Sequence, residues 1–188
     1  MSNRINQLQQ LVKDADSLHI NSELLDYSGV VEYYPEELVM TVKAGTLIAE
    51  IKKQLEKNNQ SLPFYTDDDS VSIGAVYAQG AQDLSDCVLG VKIIDGAGDY
   101  LNFGGQVMKN VAGYDVARLL VGSKGKLAII TQISFKVMPQ TYIGKIDKPR
   151  FSIIDKPRFS IIDKPGLSIR QEIERRLKQV FDPKEIFK

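Results

Sequence analysis

The stretch "FGGQVMKNVAGYDVARLLVGSKGKLAIIT", residues 103–131, holds the residue types in this chain best suited to gripping a ligand. Five glycines (Gly104, Gly105, Gly113, Gly122, Gly125) fall within its 29 residues, yet apolar segments run between them, so it is no floppy linker. Glycine turns expose main-chain N–H groups, and such groups can cradle phosphates and other anions. Lys109, Asn110, Tyr114 and Asp115 add a cation, an amide, a phenol and a carboxylate to the same loop. A second run, "SIGAVYAQGAQ", carries Gly74, Ala75, Ala78, Gly80 and Ala81. So little side-chain volume lets another backbone or a ligand approach closely.

Each of these residues also has an ordinary structural explanation. Lys109-Asn110 suits a solvated turn, and Tyr114 suits a ring packed in the core with its hydroxyl at the edge. Asp115 suits a helix N-cap and Gly122 a helix terminator. The acids Asp67, Asp68 and Asp69 suit a water-facing loop. With one cysteine, Cys87, and one histidine, His19, the chain has too few soft ligands for a zinc or iron–sulfur site and cannot form an internal disulfide. Cys87 reads as a buried inert thiol opening a strand, and His19 has no visible catalytic partner. No metal ligands and no catalytic base are assigned.

The elements that must position the glycine loops follow from periodicity. Ile5, Leu8, Leu11 and Val12 share one face of a first helix. "GVVEYYPEELVMTVKAG" reads as strand, Pro-Glu-Glu turn and second strand. Thr46 then suits the N-cap of a helix in which Leu47, Ile51 and Leu55 align and Asn58-Asn59 mark the stop. "CVLGVKIIDGAGDYLNF" reads as a hairpin. Asp115–Val121 reads as a short helix, and "IITQISFKVMP" as a half-buried strand stopped by Pro139. "IDKPRFSI" stands at 146–153 and again at 154–161, with "IDKPGLSI" at 162–169, a unit too short for a solenoid. It reads as a linker grown by duplication. A last helix follows, with Ser168 and Gln171 at capping-box spacing and Ile169, Ile173, Leu177 and Val180 on one face.

This order of strands, short helices and glycine turns fits an α+β domain. It lacks the G-x-G-x-x-G of a dinucleotide fold and the spacing of a P-loop. "FGGQVMKNVAGYDVARLLVGSKGKLAIITQISFKVMP" closely resembles the FAD-binding subunits of glycolate oxidases, within the vanillyl-alcohol-oxidase-like, PCMH-type flavoprotein family. "EYYPEELVMTVKAGTLIAEI", "QSLPFYTDDDSVSIGAVYAQG", "DCVLGVKIIDGAGDYLNFGG" and "VFDPKEIF" resemble other family segments in the same order. The resemblance implies a PCMH-type FAD-binding fold of two small α/β lobes, reduced and lacking most of the cap domain. It divides the chain into a FAD-binding domain at 1–140 with a shortened first lobe, a repeated linker at 141–167 and a C-terminal helix at 168–188. By position, Gly74 and Gly80 would border the flavin. Lys109, Asn110, Gly113 and Asp115 would belong to the loop that positions it. Gly125 and Ile130 would offer backbone contacts near the pyrophosphate and adenine.

The sequence also departs from the family. "VKDADSLHINSELLDYSG" runs across the place of an early glycine-rich phosphate loop without a glycine cluster, and the repeats stand where a substrate-covering cap is expected. The function implied is a FAD-binding subunit of a glycolate oxidase or dehydrogenase complex, oxidising a small 2-hydroxy acid beside a second flavin subunit and an iron–sulfur subunit. The alternative is a non-catalytic, cofactor-free scaffold subunit, or a truncated derivative of the same family. Lys plus Arg and Asp plus Glu both number 24, so nucleic-acid binding has no electrostatic footprint. No apolar run approaches the ~20 residues of a membrane span. The expected location is cytoplasmic, peripheral to the inner membrane through partners.

Overall fold

The computed structural model describes residues 3–18, 26–81, 83–106, 115–145 and 169–188. His19, the Lys109–Tyr114 loop residues, Ser168 and nearly all of the octapeptide repeats lie outside them. In chain order the elements are α1 (Asn3–Asp14), β1 (Val30–Tyr34), β2 (Val39–Lys43), α2 (Ile48–Glu56), β3 (Gln60–Ser61), α3 (Ile73–Gln79), α4 (Leu84–Cys87), β4 (Val88–Ile94), β5 (Tyr100–Gly104), α5 (Val116–Leu119), β6 (Ile129–Lys136), β7 (Met138–Pro139) and α6 (Ile169–Phe181). Five strands form one sheet in the order β1-β2-β6-β4-β5, every neighbouring pair antiparallel. The Pro35–Glu37 turn between β1 and β2 is a single 3-10 turn closed by Leu38 in the left-handed region.

Strand alternation divides the sheet into two unlike faces. Met40, Val42, Val91, Ile93, Ile133 and Phe135 project into the main core, where they meet Ile48, Ile51 and Leu55 of α2 and Ile73, Val76 and Tyr77 of α3. On the other face Lys92 stands level with Gln132 and Asn102, and Thr41 level with Ser134, its hydroxyl 2.7 Å from the Ser134 hydroxyl. A smaller core joins Leu8 and Val12 of α1 to Ile94, Ile129, Ile186 and Phe187.

Three expectations shift. Thr46 is not the α2 cap: Leu47 holds that position without a side-chain bond, and the buried Thr46 hydroxyl accepts from Gly29 N–H at 2.9 Å and donates to Lys43 O at 2.7 Å. It ties the end of β2 to the chain entering β1. Cys87 closes α4 instead of opening a strand. On α6 the packed residues are Leu177 and Phe181, while Ile173 and Val180 are exposed. Phe181 meets Phe103 of β5 edge-on at 6.3 Å, which turns the helix about its axis relative to the stripe read from sequence.

The chain after α6 is clamped by one carboxylate. Asp182 is fully buried and accepts from Ile186 N–H at 3.0 Å, from Phe187 N–H at 2.9 Å and from the Lys178 ammonium at 2.5 Å. Gly96, in the β4–β5 turn, must be glycine, since a Cβ there would sit 2.3 Å from an Asp182 oxygen and 2.7 Å from its Cα. Gly96 N–H in turn donates to Phe181 O at 2.7 Å. Asp182→Ala leaves two buried amides unpaired and takes the carboxylate from the part-buried Lys178 ammonium, and is expected to lower unfolding free energy by about 3 kcal/mol. Urea denaturation measures this, and a loss under about 0.5 kcal/mol, the scale of ordinary surface substitutions, would reject the clamp.

Candidate functional site

The small-residue run forms a helix, α3, for local reasons. Ser72 caps it by accepting Ala75 N–H at 3.2 Å, and Gly80 ends it at φ +78°. Ile73, Val76 and Tyr77, at i, i+3 and i+4, form its buried face. A Ser before that spacing was the signal for a helix that the reading by residue size passed over.

α3 gathers the candidates that the structure describes. A Cβ on Gly74 would lie 2.8 Å from Ala44 O, and Ala44 N–H donates to Thr131 O at 2.8 Å, next to Ile130. A Cβ on Gly80 would lie 2.9 Å from the Cα of Gly122. Ala78 O accepts from Lys124 N–H at 2.8 Å, the residue before Gly125. The Tyr77 hydroxyl donates to Ala117 O in α5. Burial first, and the nearby Asp115 carboxylate second, raise its pKa. Gly74 and Gly80 thus belong to α3 and its cap, Asp115 lies near Tyr77, Ile130 shares the core with the helix's buried face, and Gly125 follows the residue bonded to Ala78. Tyr77 organises the group and was missed as a site residue.

What these groups do locally is specific. Asp115 caps α5 by accepting Arg118 N–H at 3.1 Å, and it pairs with the Arg118 guanidinium at 3.0 Å. The Ile130 side chain is buried in the main core, and its backbone stands opposite Ile93 in the β4–β6 ladder. Asp69 pairs with Lys52 at 2.5 Å, and Asp68 accepts from the Ser70 N–H and hydroxyl, which hold its carboxyl below the usual range. Among the described residues no group of His, Cys, Asp and Glu could hold a metal.

A diphosphate requires several N–H donors free to face it. Gly74 N–H donates to Ala44 O at 2.8 Å, Gly80 N–H to Val76 O at 3.1 Å and Gly122 N–H to Tyr77 O at 2.9 Å. Ser123, Lys124 and Lys126 also spend their amides on main-chain carbonyls. Gly125 alone in the Gly122–Lys126 turn has an N–H without a partner among the described residues. The described glycine amides therefore do not fit a diphosphate cradle.

Gly80→Ala is expected to destabilise by about 1–2 kcal/mol, from a positive φ and from contact with Gly122. Gly105→Ala, with nothing within 4 Å of the added Cβ, is expected to be near neutral. Equal thermal shifts for the two would reject the close-packing role of Gly80. The Cys87 thiol is pushed up to about 11, chiefly by burial and then by the charge of Asp86. Its neutral form is the one the fold favours, so this contribution is complete below the ordinary value of 9.0 and is lost as pH rises through about 11. Native protein at pH 8 should react with iodoacetamide far more slowly than urea-unfolded protein; equal rates would contradict the burial.

A profile described as FAD binding domain matches residues 6–104, more than half of the chain. The glycolate oxidase subunit GlcE of Escherichia coli K12 is 44% identical over 124 residues, 61% of this chain and 35% of that protein. The glycolate oxidase subunit GlcD of Bacillus subtilis is 30% identical over 122 residues, 59% of this chain and 26% of that protein. A solved alkyldihydroxyacetonephosphate synthase superposes with a TM-score of 0.58 at 18% identity, over 71% of this chain and 30% of that one. The chain thus spans about a third or less of the length of these relatives, and the structural likeness concerns the fold. No described helix is long and apolar enough to cross a membrane. The antiparallel sheet with α2 and α3 on one face is part of the PCMH-type FAD-binding fold, and the chain belongs to the FAD binding domain family of flavin oxidoreductases.

Proposed function

We propose that this chain is a FAD-binding subunit of a glycolate oxidase-type complex, holding its flavin with help from contacts beyond its own described amides. The observation that carries the reading is the match of residues 6–104 to the FAD binding domain family, on a fold in which Asp115 and Ile130 lie near the buried face of α3. The likeness to two glycolate oxidase subunits supports the substrate class, a small 2-hydroxy acid. Bound FAD would supply the hydride acceptor, and the chain would supply orientation. Lys109, Asn110 and Gly113 are proposed to complete the loop that positions the flavin. A second flavin subunit and an iron–sulfur subunit are the proposed partners.

A second reading is favoured by the committed amides: a cofactor-free scaffold subunit that keeps the fold and its partner surface. Each missing charge-assisted hydrogen bond to phosphate removes about 1.5–3 kcal/mol. Several such losses weaken binding by orders of magnitude.

FAD titration followed by flavin fluorescence and by melting temperature separates the two. On the first reading the isolated chain binds FAD weakly, and co-expression with partner subunits tightens binding by about tenfold or more, equivalent to 1.4 kcal/mol. In the co-expressed complex, Gly113→Val should then cut FAD content. A complex whose FAD content and activity ignore Gly113→Val and Lys109→Ala rejects the first reading and leaves the scaffold.

A further inference from the structure

The face of the sheet turned away from α2 and α3 holds a hollow of about 300 Å³, and the strand register accounts for its shape. Gln132, Lys92 and Asn102 stand level on β6, β4 and β5 and make one row of longer side chains. Two residues along, Thr41, Ser134 and Gly90 stand level on β2, β6 and β4, with side chains that are short or absent. Such rows are about 7 Å apart, so the step from long to short leaves space between them. The chain leaving β5 closes one side. Gly105 lies against Gly90, where an added Cβ would sit 2.8 Å from the Gly105 N and O. Gln106 then reaches over the sheet to the Glu32 carboxylate and, at 3.1 Å, to the Thr41 hydroxyl.

The polar groups left over in this hollow are donors. Lys92 is half-buried, lines the hollow and has no ion-pair partner among the described residues. The acid that shares the lining, Glu32, accepts from Gln106 and stands three strands away in the order β1-β2-β6-β4, roughly 14 Å across the sheet. The Thr41 and Ser134 hydroxyls lie 2.7 Å apart, and one O–H serves that contact. Whichever hydroxyl donates, the other keeps an O–H without an acceptor among the described residues, since Gln106 only donates to Thr41. Thr41 is 4% exposed and Ser134 half-buried, so an acceptor for that hydrogen has to sit in the hollow. An ammonium and a spare hydroxyl hydrogen on one hollow call for an oxygen-rich anion.

We propose that this hollow binds a small monocarboxylate, one oxygen on the Lys92 ammonium and the other on the spare hydroxyl of the Thr41–Ser134 pair. Lys92 and Ser134 are diagonal neighbours on adjacent strands, roughly 7–8 Å apart, a gap that a carboxylate with a hydrogen bond on either side spans. One cation matches one negative charge. A phosphate dianion would meet a single ammonium and the charge of Glu32 at the far rim, with no nest of main-chain N–H groups to make up the difference. The hollow lies across the sheet from α3 and its glycines, and carboxylate binding there does not depend on the flavin-subunit reading.

NMR titration of the ¹⁵N-labelled full chain tests it, with acetate, malonate and phosphate as separate probes, each replacing chloride at constant ionic strength. Acetate should shift the Lys92, Gln132 and Ser134 amides along one saturable curve, and neither malonate nor phosphate should bind more tightly than acetate. Lys92→Gln should weaken acetate binding about tenfold or more, whereas Lys92→Arg, which keeps the charge, should stay within about threefold of wild type. Thr41→Val/Ser134→Ala, which removes both hydroxyls, should weaken it about threefold or more. Lys57→Gln, at an exposed lysine bonded to Gln54 outside the hollow, should leave it unchanged. Shifts that never saturate, acetate affinity untouched by Lys92→Gln, equal weakening in Lys57→Gln, or phosphate binding more tightly than acetate would each overturn the site.

Discussion

The close approach of main chains at the two ends of α3 is the constraint on which the rest of the structure depends. Gly74 lets the first turn of the helix touch the main chain at Ala44, and Gly80 lets the last turn touch Gly122. Between them Tyr77 reaches α5 through its hydroxyl. A helix of seven residues has little stability of its own, so these contacts and its buried face hold it in place. Through them β2, β6, α5 and the Gly122 turn are fixed relative to one another. Side chains at either glycine would push the helix off the sheet and open the main core.

The same closeness decides how the main-chain donors are used. Backbone groups taken from water must find partners, and the nearest partners here are other backbone groups. Once α3 lies against Ala44 and Gly122, their amides and carbonyls satisfy each other at 2.8–3.2 Å. Glycine richness in this family chain thus serves two ends that compete for the same N–H groups. A turn can receive an anion only where packing leaves its amides over, and at Gly122–Lys126 packing leaves just that of Gly125.

Much of this architecture was legible in the sequence because it follows from local rules. The β1–β2 and β4–β5 hairpins announce themselves by turn residues between β-rich runs, and Asp115 announces α5 as its cap, although the helix closes at Leu120, short of Gly122. What the sequence hid is what depends on tertiary partners. Small residues at 74–81 pointed correctly to close approach, but nothing local says whether backbone or ligand arrives, and in the structure backbone arrives at Gly74 and Gly80. Thr46 has the chemistry of a cap, yet Gly29 and Lys43 compete successfully for its hydroxyl. The stripe on α6 was drawn through Ile173 and Val180, whereas Phe103 and the Asp182 clamp pull Leu177 and Phe181 inward. Asp182 itself looks like a surface acid until the partners that enclose it are known.

That clamp belongs to a set of contacts that hold α6 and the residues after it against three other parts of the chain: Phe181 on Phe103, Asp182 against Gly96, and Phe187 paired with Leu18. One added methyl group at Gly96 would collide with the second of them. Tolerance and intolerance to change in this chain follow where its main chains touch, and the residues at those contacts are small, buried or both.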